Sequence, residues 1–206
     1  MNFSNSTTDQ TERLKDTNTL AEQWDSIDWT QVQKDVNRLQ TRIAKATVTG
    51  NMNKVKRLQY LLTHSFYAKA YSVRKVTTNK GKNTSGVDKR LWSTSASKMK
   101  ATLSLTDRRY KTKPLRRVYI EKKGKNKKRP LGIPTMYDRA MQTLYALALE
   151  PVAESTGDNI SFGFRKGRSA KDACEQIFSV LARKCSPTWI LEGDIKGCFD
   201  NINHNW

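Results

Sequence analysis

The sequence has few of the residues that build disulfides, zinc sites or membrane spans. Its three cysteines are widely spaced without a Cys-x-x-Cys pair, which argues against a disulfide framework or a zinc site and indicates reduced thiols: Cys174, Cys185 and Cys198. The chain has two histidines, which argues against a histidine-based metal site or catalytic triad. The polar N-terminus resembles neither a signal nor a transit peptide. No apolar run approaches the ~20 residues of a transmembrane helix, so we expect a cytoplasmic protein without membrane contact.

Acidic residues are also scarce relative to basic ones. The chain has 206 residues with 38 Lys and Arg against 19 Asp and Glu, a formal charge of +19. Six of the acids but only two of the bases lie in residues 1–30, so the excess of positive charge is larger in the rest of the chain. Solvated lysine-rich faces are the alternative explanation. The basic residues cluster and include many arginines, which favours a polyanion such as nucleic acid as the partner.

The first hundred residues have the patterns of helices. Residues 1–17 are rich in Ser, Thr, Asn and Asp and predict a disordered lead. A helix is predicted from about Thr30, and a second after a break at residues 49–51, with Phe66 as the last residue of its apolar face. Residues 74–90 read as a basic loop, and a short third helix is expected around residues 95–105. Each long helix has an apolar face: Val32, Val36, Leu39 and Ile43, then Val55, Leu58, Leu62 and Phe66.

A strongly basic segment follows between Lys113 and Arg129, with nine cations and one acid. Residues 117–120 alternate like a strand, residues 124–126 suggest a turn, and residues 129–133 resume an extended run, so a β-hairpin is predicted. Lysines can simply protect an edge strand. Nine cations exceed that need, which favours a hairpin that binds phosphates. The candidate binding residues are Lys122, Lys123, Lys125, Lys127 and Arg129.

The next segment is predicted to form a helix from Tyr137 to Glu150 that ends at Pro151. Residues 161–168 then combine glycines with Phe164, Arg165 and Arg168, a composition that lets a nucleic-acid strand approach the backbone closely. Ser169 to Asp172 form a capping box that opens another helix, whose apolar face is Ala173, Ile177, Val180 and Leu181.

The last apolar run, residues 189–191, predicts a short strand that places Asp194 at its end. Nucleotidyl transfer uses two divalent ions held by oxygen ligands, and a carboxylate at a strand end is such a ligand. The backbone carbonyl of Ile195 could add a second oxygen, whereas Asp200 lies beyond a predicted bend. Many aspartates after a strand only cap a following helix, so this segment alone leaves both interpretations open.

Three motifs occur in order at characteristic separations: Arg-Pro-Leu-Gly-Ile-Pro at residues 129–134, Ser-Phe-Gly-Phe-Arg-Lys-Gly-Arg-Ser at 161–169, and Leu-Glu-Gly-Asp-Ile-Lys-Gly-Cys-Phe-Asp at 191–200. Together they resemble the fingers and early palm of bacterial group II intron reverse transcriptase/maturases. Trp29 and the Gly-Val-Asp run at residues 86–88 are similar to the extension that precedes the fingers in that family. The resemblance covers residues 18–206.

The resemblance implies an α+β fold of the right-hand polymerase type. Residues 18–105 would form the helical N-terminal domain, and residues 106–206 the fingers and the first palm strand. It also implies site roles. Asp194 and the Ile195 carbonyl would bind Mg²⁺, with Asp194 as the catalytic carboxylate. Arg129, Lys127 and Phe199 would bind the deoxynucleotide, with Phe199 excluding a ribose 2′-hydroxyl. Phe164 and Arg165 would approach the template.

The implied function is that of the N-terminal portion of an RNA-directed DNA polymerase that also binds its intron RNA to promote splicing. The family's palm has a later Tyr-Ala-Asp-Asp-type turn, whereas this chain stops six residues after Asp200. We therefore expect a truncated form that does not polymerise alone and whose partners include RNA, deoxynucleotides and the missing C-terminal half. The alternatives are a non-catalytic RNA-binding module or relic, and a reverse transcriptase of a defence or CRISPR-linked branch.

Overall fold

A computed structural model describes residues 17–122, 125–198 and 201–203. All but the last residue of the predicted disordered lead falls outside this part. The chain divides into two compact units, Met1–Thr156 and Gly157–Trp206, each of which is described by itself. Among the described residues, no helix is long and apolar enough to cross a membrane.

The first unit contains six described helices and one two-stranded antiparallel sheet, which agrees with the predicted α+β class. The second unit contains one described helix. The elements are α1 (residues 17–25), α2 (Trp29–Val48), α3 (Met52–His64), α4 (Phe66–Thr78), α5 (Ser95–Ser104), β1 (Arg116–Lys122), β2 (Lys125–Ile133), α6 (Met136–Thr156) and, in the second unit, α7 (Ala170–Leu181).

Helix α2 begins where the sequence predicts, because Asp28 caps it. The Asp28 carboxylate accepts hydrogen bonds from the backbone N–H groups of Thr30 (2.8 Å) and Gln31 (3.1 Å), which satisfies donors that the first helical turn leaves without partners. Val32 and Ile43 are fully buried. The predicted apolar face of α2 is therefore confirmed, as is the predicted third helix, which is α5.

The predicted second helix is two helices, because the chain leaves the helical conformation at Ser65 (φ −65°, ψ 132°). Phe66 is then the first residue of α4, which continues to Thr78 into the segment predicted as a loop. Helix α4 is deeply enclosed, with Ala68, Ala70 and Val73 completely buried. Apolar spacing continues across Ser65, so periodicity alone does not reveal the break.

Helix α6 does not end at Pro151 as predicted but continues to Thr156. A proline inside a helix has no N–H to donate to the carbonyl four residues earlier, which here belongs to Leu147. The Gln40 side chain of α2 donates a hydrogen bond to that carbonyl (2.8 Å), and Gln59 of α3 donates to the Ala148 carbonyl (3.0 Å). The two side-chain amides support the interrupted helix from outside.

The core of the first unit forms where α2, α3, α4, α5 and α6 pack together. Its largest fully buried side chains come from several of these helices and from the residues that adjoin them, including Ile43, Leu62, Leu105, Met136 and Leu144. Residues before and after position 105 share this core. The domain boundary that the sequence places at 105/106 stays a prediction.

In the second unit the predicted capping box is present at the start of α7. The hydroxyl of Ser169 donates to the Asp172 carboxylate (2.7 Å), as does the backbone N–H of Ser169 (2.6 Å). These hydrogen bonds lower the pKa of the Asp172 carboxyl group. The predicted apolar face is exposed, with Ile177 at 57% and Val180 at 47%. No residue of α7 is buried.

The strand predicted at residues 189–191 is not formed, which corrects the expected first palm strand. These three residues have neither strand nor helix structure, and Leu191 is 97% exposed. A strand is stabilised by hydrogen bonds to a neighbouring strand, and the two described strands of the protein, β1 and β2, pair with each other.

Candidate nucleic-acid interface

The predicted hairpin is present, and it projects from the helices. Strands β1 and β2 pair antiparallel with Arg116 opposite Ile133 and Ile120 opposite Arg129. Every described side chain of the hairpin is exposed or half-buried. Lys125 and residue 126 belong to β2 rather than to the predicted turn. The hairpin thus presents both of its faces to ligands.

The strand register places Arg129 on the less polar face of the hairpin. Directly opposed residues of an antiparallel pair lie on the same face, as do residues two apart in one strand. Arg129 therefore shares its face with Ile120 and Leu131, which are 49% and 45% exposed. The opposite face carries the paired charges of Glu121 and Lys128. An exposed guanidinium next to apolar side chains can contact the phosphates and the base of one nucleotide.

The lysines predicted at the hairpin tip can be placed only in part. Lys122, Lys125 and Lys127 lie in the strands, but their side chains lie outside the part of the chain that the structure describes. Lys123 falls outside the described residues altogether. Their role in phosphate binding stays a prediction.

Gly86 joins the N-terminal helical region to the base of the hairpin. A Cβ atom at this position would lie 2.6 Å from the Cα and 2.7 Å from the backbone nitrogen of Thr135, closer than real Cβ contacts allow. Thr135 is buried between the end of β2 and the start of α6. The glycine is therefore required for close backbone packing, which explains one residue of the Gly-Val-Asp motif.

Arg139 fixes the basic loop that follows α4. Its guanidinium donates to the carbonyl oxygens of Pro134 (3.1 Å), Gly81 (3.0 Å) and Thr84. Burial lowers the pKa of Arg139, and the nearby charge of Arg116 lowers it further, whereas Asp88 opposes the change. No sequence pattern indicates this role, because a single arginine on a predicted helix resembles a solvated cation.

The buried carboxylate of Asp138 connects the segment before the hairpin to the start of α6. Asp138 is 4% exposed and accepts hydrogen bonds from the hydroxyl groups of Tyr110 and Thr135, the latter at 2.6 Å. Burial raises the pKa of Tyr110, and its hydrogen bond to Asp138 raises it further. Tyr110 and Asp138 lie 28 residues apart along the chain, so their pairing could not be recognised as a motif.

In the second unit, the predicted template-binding residues lie in one loop before α7. Phe164 is fully exposed and has a positive φ of 60°, an unfavourable backbone conformation for an aromatic residue. Arg168 donates to the carbonyl oxygens of Ser161 (2.6 Å) and Asn159 (2.9 Å), and Arg165 donates to that of Asp158. Both arginines thus hold the loop that presents Phe164, while their contact with RNA stays a prediction.

Asp194 and Ile195 lie in an irregular, exposed segment of the same unit. Phe199 and Asp200 lie outside the described residues. Mg²⁺ prefers octahedral oxygen coordination and is usually held by one or two carboxylates together with substrate phosphates. The part of the chain that the structure describes contains no group of three His, Cys, Asp or Glu that could hold a metal ion. Among the described residues, a Mg²⁺ ion at Asp194 would therefore need ligands from outside such a cluster, as the phosphates of a bound nucleotide could provide.

Two family models match consecutive parts of the chain. Residues 24–105 match the N-terminal domain of reverse transcriptase, and residues 120–206 match the reverse transcriptase (RNA-dependent DNA polymerase) family. The first match contains Trp29 and Gly86, and the second contains Arg129, Phe164 and Asp194. Together the two models account for most of the chain.

Curated relatives agree with these matches. Group II intron-encoded protein LtrA of Lactococcus lactis subsp. cremoris is 40% identical over 149 residues, which are 71% of this chain and 24% of LtrA. Protein YkfC of Escherichia coli K12 is 32% identical over 181 residues, 82% of this chain and 46% of YkfC. An uncharacterised 91 kDa protein in the cob intron of Schizosaccharomyces pombe is 39% identical over 102 residues, which are 50% of this chain and 12% of that protein.

The chain thus spans about a quarter of LtrA and about half of YkfC. The two family models follow each other along the chain, with the N-terminal domain of reverse transcriptase before the polymerase family. The chain therefore belongs to the group II intron-encoded reverse transcriptase/maturase family and corresponds to the N-terminal part of such a protein.

Proposed function

We propose that this chain holds RNA and the phosphates of an incoming nucleotide for an RNA-directed DNA polymerase that also assists intron splicing. The observation that carries the proposal is the exposed hairpin, on which Arg129 lies beside Ile120 and Leu131. A guanidinium binds phosphate oxygens through two parallel hydrogen bonds. Apolar side chains on the same face support a base, so one surface can contact both parts of a nucleotide.

The Phe164 loop is the proposed contact to the template strand. A fully exposed phenylalanine in the left-handed region has unfavourable hydration and an unfavourable backbone conformation. Stacking of a base on the ring would remove its apolar surface from water, and base–aromatic stacking contributes about 1–3 kcal/mol per base. Arg165 and Arg168 hold this loop through backbone carbonyls, and we propose that they also bring positive charge near the template.

Asp194 is the proposed catalytic carboxylate and a ligand of the Mg²⁺ that reverse transcriptases generally use, with the Ile195 carbonyl as a further oxygen. Phe199 and Lys127 complete the proposed deoxynucleotide contacts. The chain spans about a quarter of LtrA, and we propose that residues 1–206 alone bind RNA without extending a primer. The remaining part of a polymerase of this family is the proposed protein partner.

The hairpin assignment is tested by RNA binding to the chain of residues 1–206. The variant Lys128→Gln/Arg129→Gln removes two exposed cations from β2, and Lys34→Gln/Arg38→Gln removes one lysine and one arginine from the exposed face of α2. Titration of a labelled single-stranded RNA at several salt concentrations should show a roughly 10- to 30-fold loss for the hairpin variant at 0.1 M salt, the counterion contribution of about two phosphate contacts. The α2 variant should change the affinity much less.

Equal losses in the two variants would overturn the hairpin assignment, since general charge would then explain the binding. A template–primer extension assay on the same preparation tests the expected inactivity. Extension that disappears in Asp194→Asn would show that residues 1–206 form a working catalytic site.

A further inference from the structure

The first unit contains a groove of about 660 Å³ that is lined by no residue of the hairpin strands. Its walls come from the segment before α5, from α5 itself, from the connection between α5 and β1, and from the start of α6. We call this the basic groove, because six exposed cations line it: Arg90, Lys100, Arg108, Arg109, Lys111 and Lys113.

The described part of the chain neutralises the positive charge of the basic groove only in part. None of the six cations forms an ion pair with an acid in the described part of the chain. Two carboxylates also line the groove. Asp138 is buried and hydrogen-bonded to Tyr110 and Thr135, and Asp88 is half-buried, so two acids lie beside six exposed cations. Repulsion among such cations is relieved when an anion binds between them.

A second observation is the aromatic lining of the basic groove. Trp92, Tyr110 and Tyr137 line it together with the cations, and the rings of Tyr110 and Tyr137 lie 5.6 Å apart. The Tyr137 hydroxyl donates to the Ser104 carbonyl (2.9 Å) and accepts from the backbone N–H of Thr106 (3.0 Å). These bonds fix one wall of the groove before any ligand binds, so little order has to be created on binding.

Asp88 also has a further cation near it, Arg139, in addition to the six exposed cations of the groove. Arg139 is half-buried, and its pKa is lowered by burial and by the charge of Arg116 and raised by that of Asp88. The Nε atom of Arg116 is buried and has no hydrogen-bond partner in the described part of the chain. Arg139 therefore lies near the acid that lines the groove and adds to the field of the exposed cations, and Arg116 lies near Arg139.

We infer that the basic groove binds the sugar-phosphate backbone of single-stranded RNA at a second place, distinct from the hairpin and the Phe164 loop. Cations that track a backbone next to aromatic rings are the usual means of holding a single strand. The volume matches that of a small ligand site, so the groove is large enough for part of one strand. Six cations spread over separate chain segments exceed what a single triphosphate requires. This inference rests on the proposed function, since it assumes that RNA is the partner.

The test uses residues 1–206 and the labelled single-stranded RNA described above. Lys111→Gln/Lys113→Gln removes two groove lysines from an irregular segment, and Lys34→Gln/Lys45→Gln removes two exposed lysines from α2 as the matched control. The groove variant should bind roughly 10- to 30-fold more weakly at 0.1 M salt and should lose about 1.4 from the slope of log affinity against log salt, the value for two single-strand phosphate contacts. Circular dichroism and thermal unfolding of the two variants must agree, so that a loss of folding is not mistaken for a loss of binding.

Three outcomes would overturn the inference. The groove variant could bind as well as the α2 control, while the hairpin variant remains weak; the groove proposal would then fail and the proposed function would stand. The wild-type chain could show no salt-dependent RNA binding, in which case both fail. Finally, ATP, but not RNA, could bind more weakly to the groove variant, which would identify the groove as a nucleotide site.

Discussion

Among single residues, Gly86 is a position where a small change should have a large structural effect. A methyl group there meets the Thr135 backbone at 2.6 Å, and backbone atoms cannot move aside as a flexible side chain can. We predict that Gly86→Ala lowers the free energy of unfolding by about 1–3 kcal/mol, the usual cost of overpacking. Urea unfolding followed by circular dichroism measures the change.

Gly81→Ala is the matched control for this prediction. It lies in the same loop, and its nearest contacts to an added Cβ are 3.5 Å and 3.6 Å, an ordinary separation. We expect no loss of stability, or a gain of up to about 1 kcal/mol from the reduced freedom of the unfolded chain. An equal loss in both variants would mean that the close contact with Thr135 does not explain the glycine.

Tyr110 should make the stability depend on pH in the alkaline range. Burial and the Asp138 hydrogen bond raise its pKa above the ordinary value of 10.0, so the folded state holds this proton more tightly than the unfolded state. The stabilisation is therefore present below pH 10 and is lost as the pH rises above it. We predict that the free energy of unfolding falls above pH 10 and that Tyr110→Phe reduces this fall.

Some of the fall in the free energy of unfolding above pH 10 should remain in the Tyr110→Phe variant, because burial and Asp107 also raise the pKa of Tyr145. Tyr60→Phe, which removes a hydroxyl from an exposed side chain, is the control. If Tyr60→Phe and Tyr110→Phe flatten the pH dependence equally, the Asp138 contact is not its source.

Among the secondary-structure elements, helix α6 depends on the side chain of Gln40, which lies 107 residues before Leu147 in the chain. Gln40 supplies the donor that Pro151 cannot give to the Leu147 carbonyl. We predict that Gln40→Ala destabilises the protein by about 1–3 kcal/mol, because a buried acceptor loses its partner. In a Pro151→Ala background the cost should be smaller, since the substituted residue can donate its own backbone N–H to the Leu147 carbonyl.

A double-mutant cycle by chemical unfolding measures this coupling. The predicted interaction energy between the two positions is of the order of 1 kcal/mol. Gln31→Ala serves as the control, because Gln31 is an exposed residue of α2, the helix that contains Gln40. It should show no coupling to Pro151. Additive effects of Gln40→Ala and Pro151→Ala would contradict the proposed role of Gln40 at the helix interruption.

The elements also show which structural features the sequence could reveal. Local signals sufficed for the start of α2 near Thr30 and for the capping box of α7. The break at Ser65 was missed, because apolar spacing continues through it. The continuation past Pro151 was missed, because it depends on Gln40, which is near only in the folded chain. The strand at residues 189–191 was predicted from composition, but a strand also requires a neighbouring strand.

At the scale of the whole molecule, short continuous motifs identify the family, whereas a site built from residues that are far apart in the sequence cannot be recognised from it. The motif that contains Arg129 and the one that contains Phe164 are continuous in sequence, so they could be recognised directly. The cations of the basic groove are separated by up to 23 residues and follow no repeat, from Arg90 to Lys113. They become one site only because α5 and the start of α6 belong to the same packed unit.

The excess of positive charge allows RNA binding to be tested without any substitution. If exposed cations bind RNA phosphates, binding releases counterions, and the affinity must fall steeply as salt rises. The deciding measurement is the affinity of residues 1–206 for single-stranded RNA between about 50 and 200 mM salt. For six phosphate contacts we predict a slope of log affinity against log salt of about −4. A slope near zero would contradict the claim that this chain binds RNA through its phosphates.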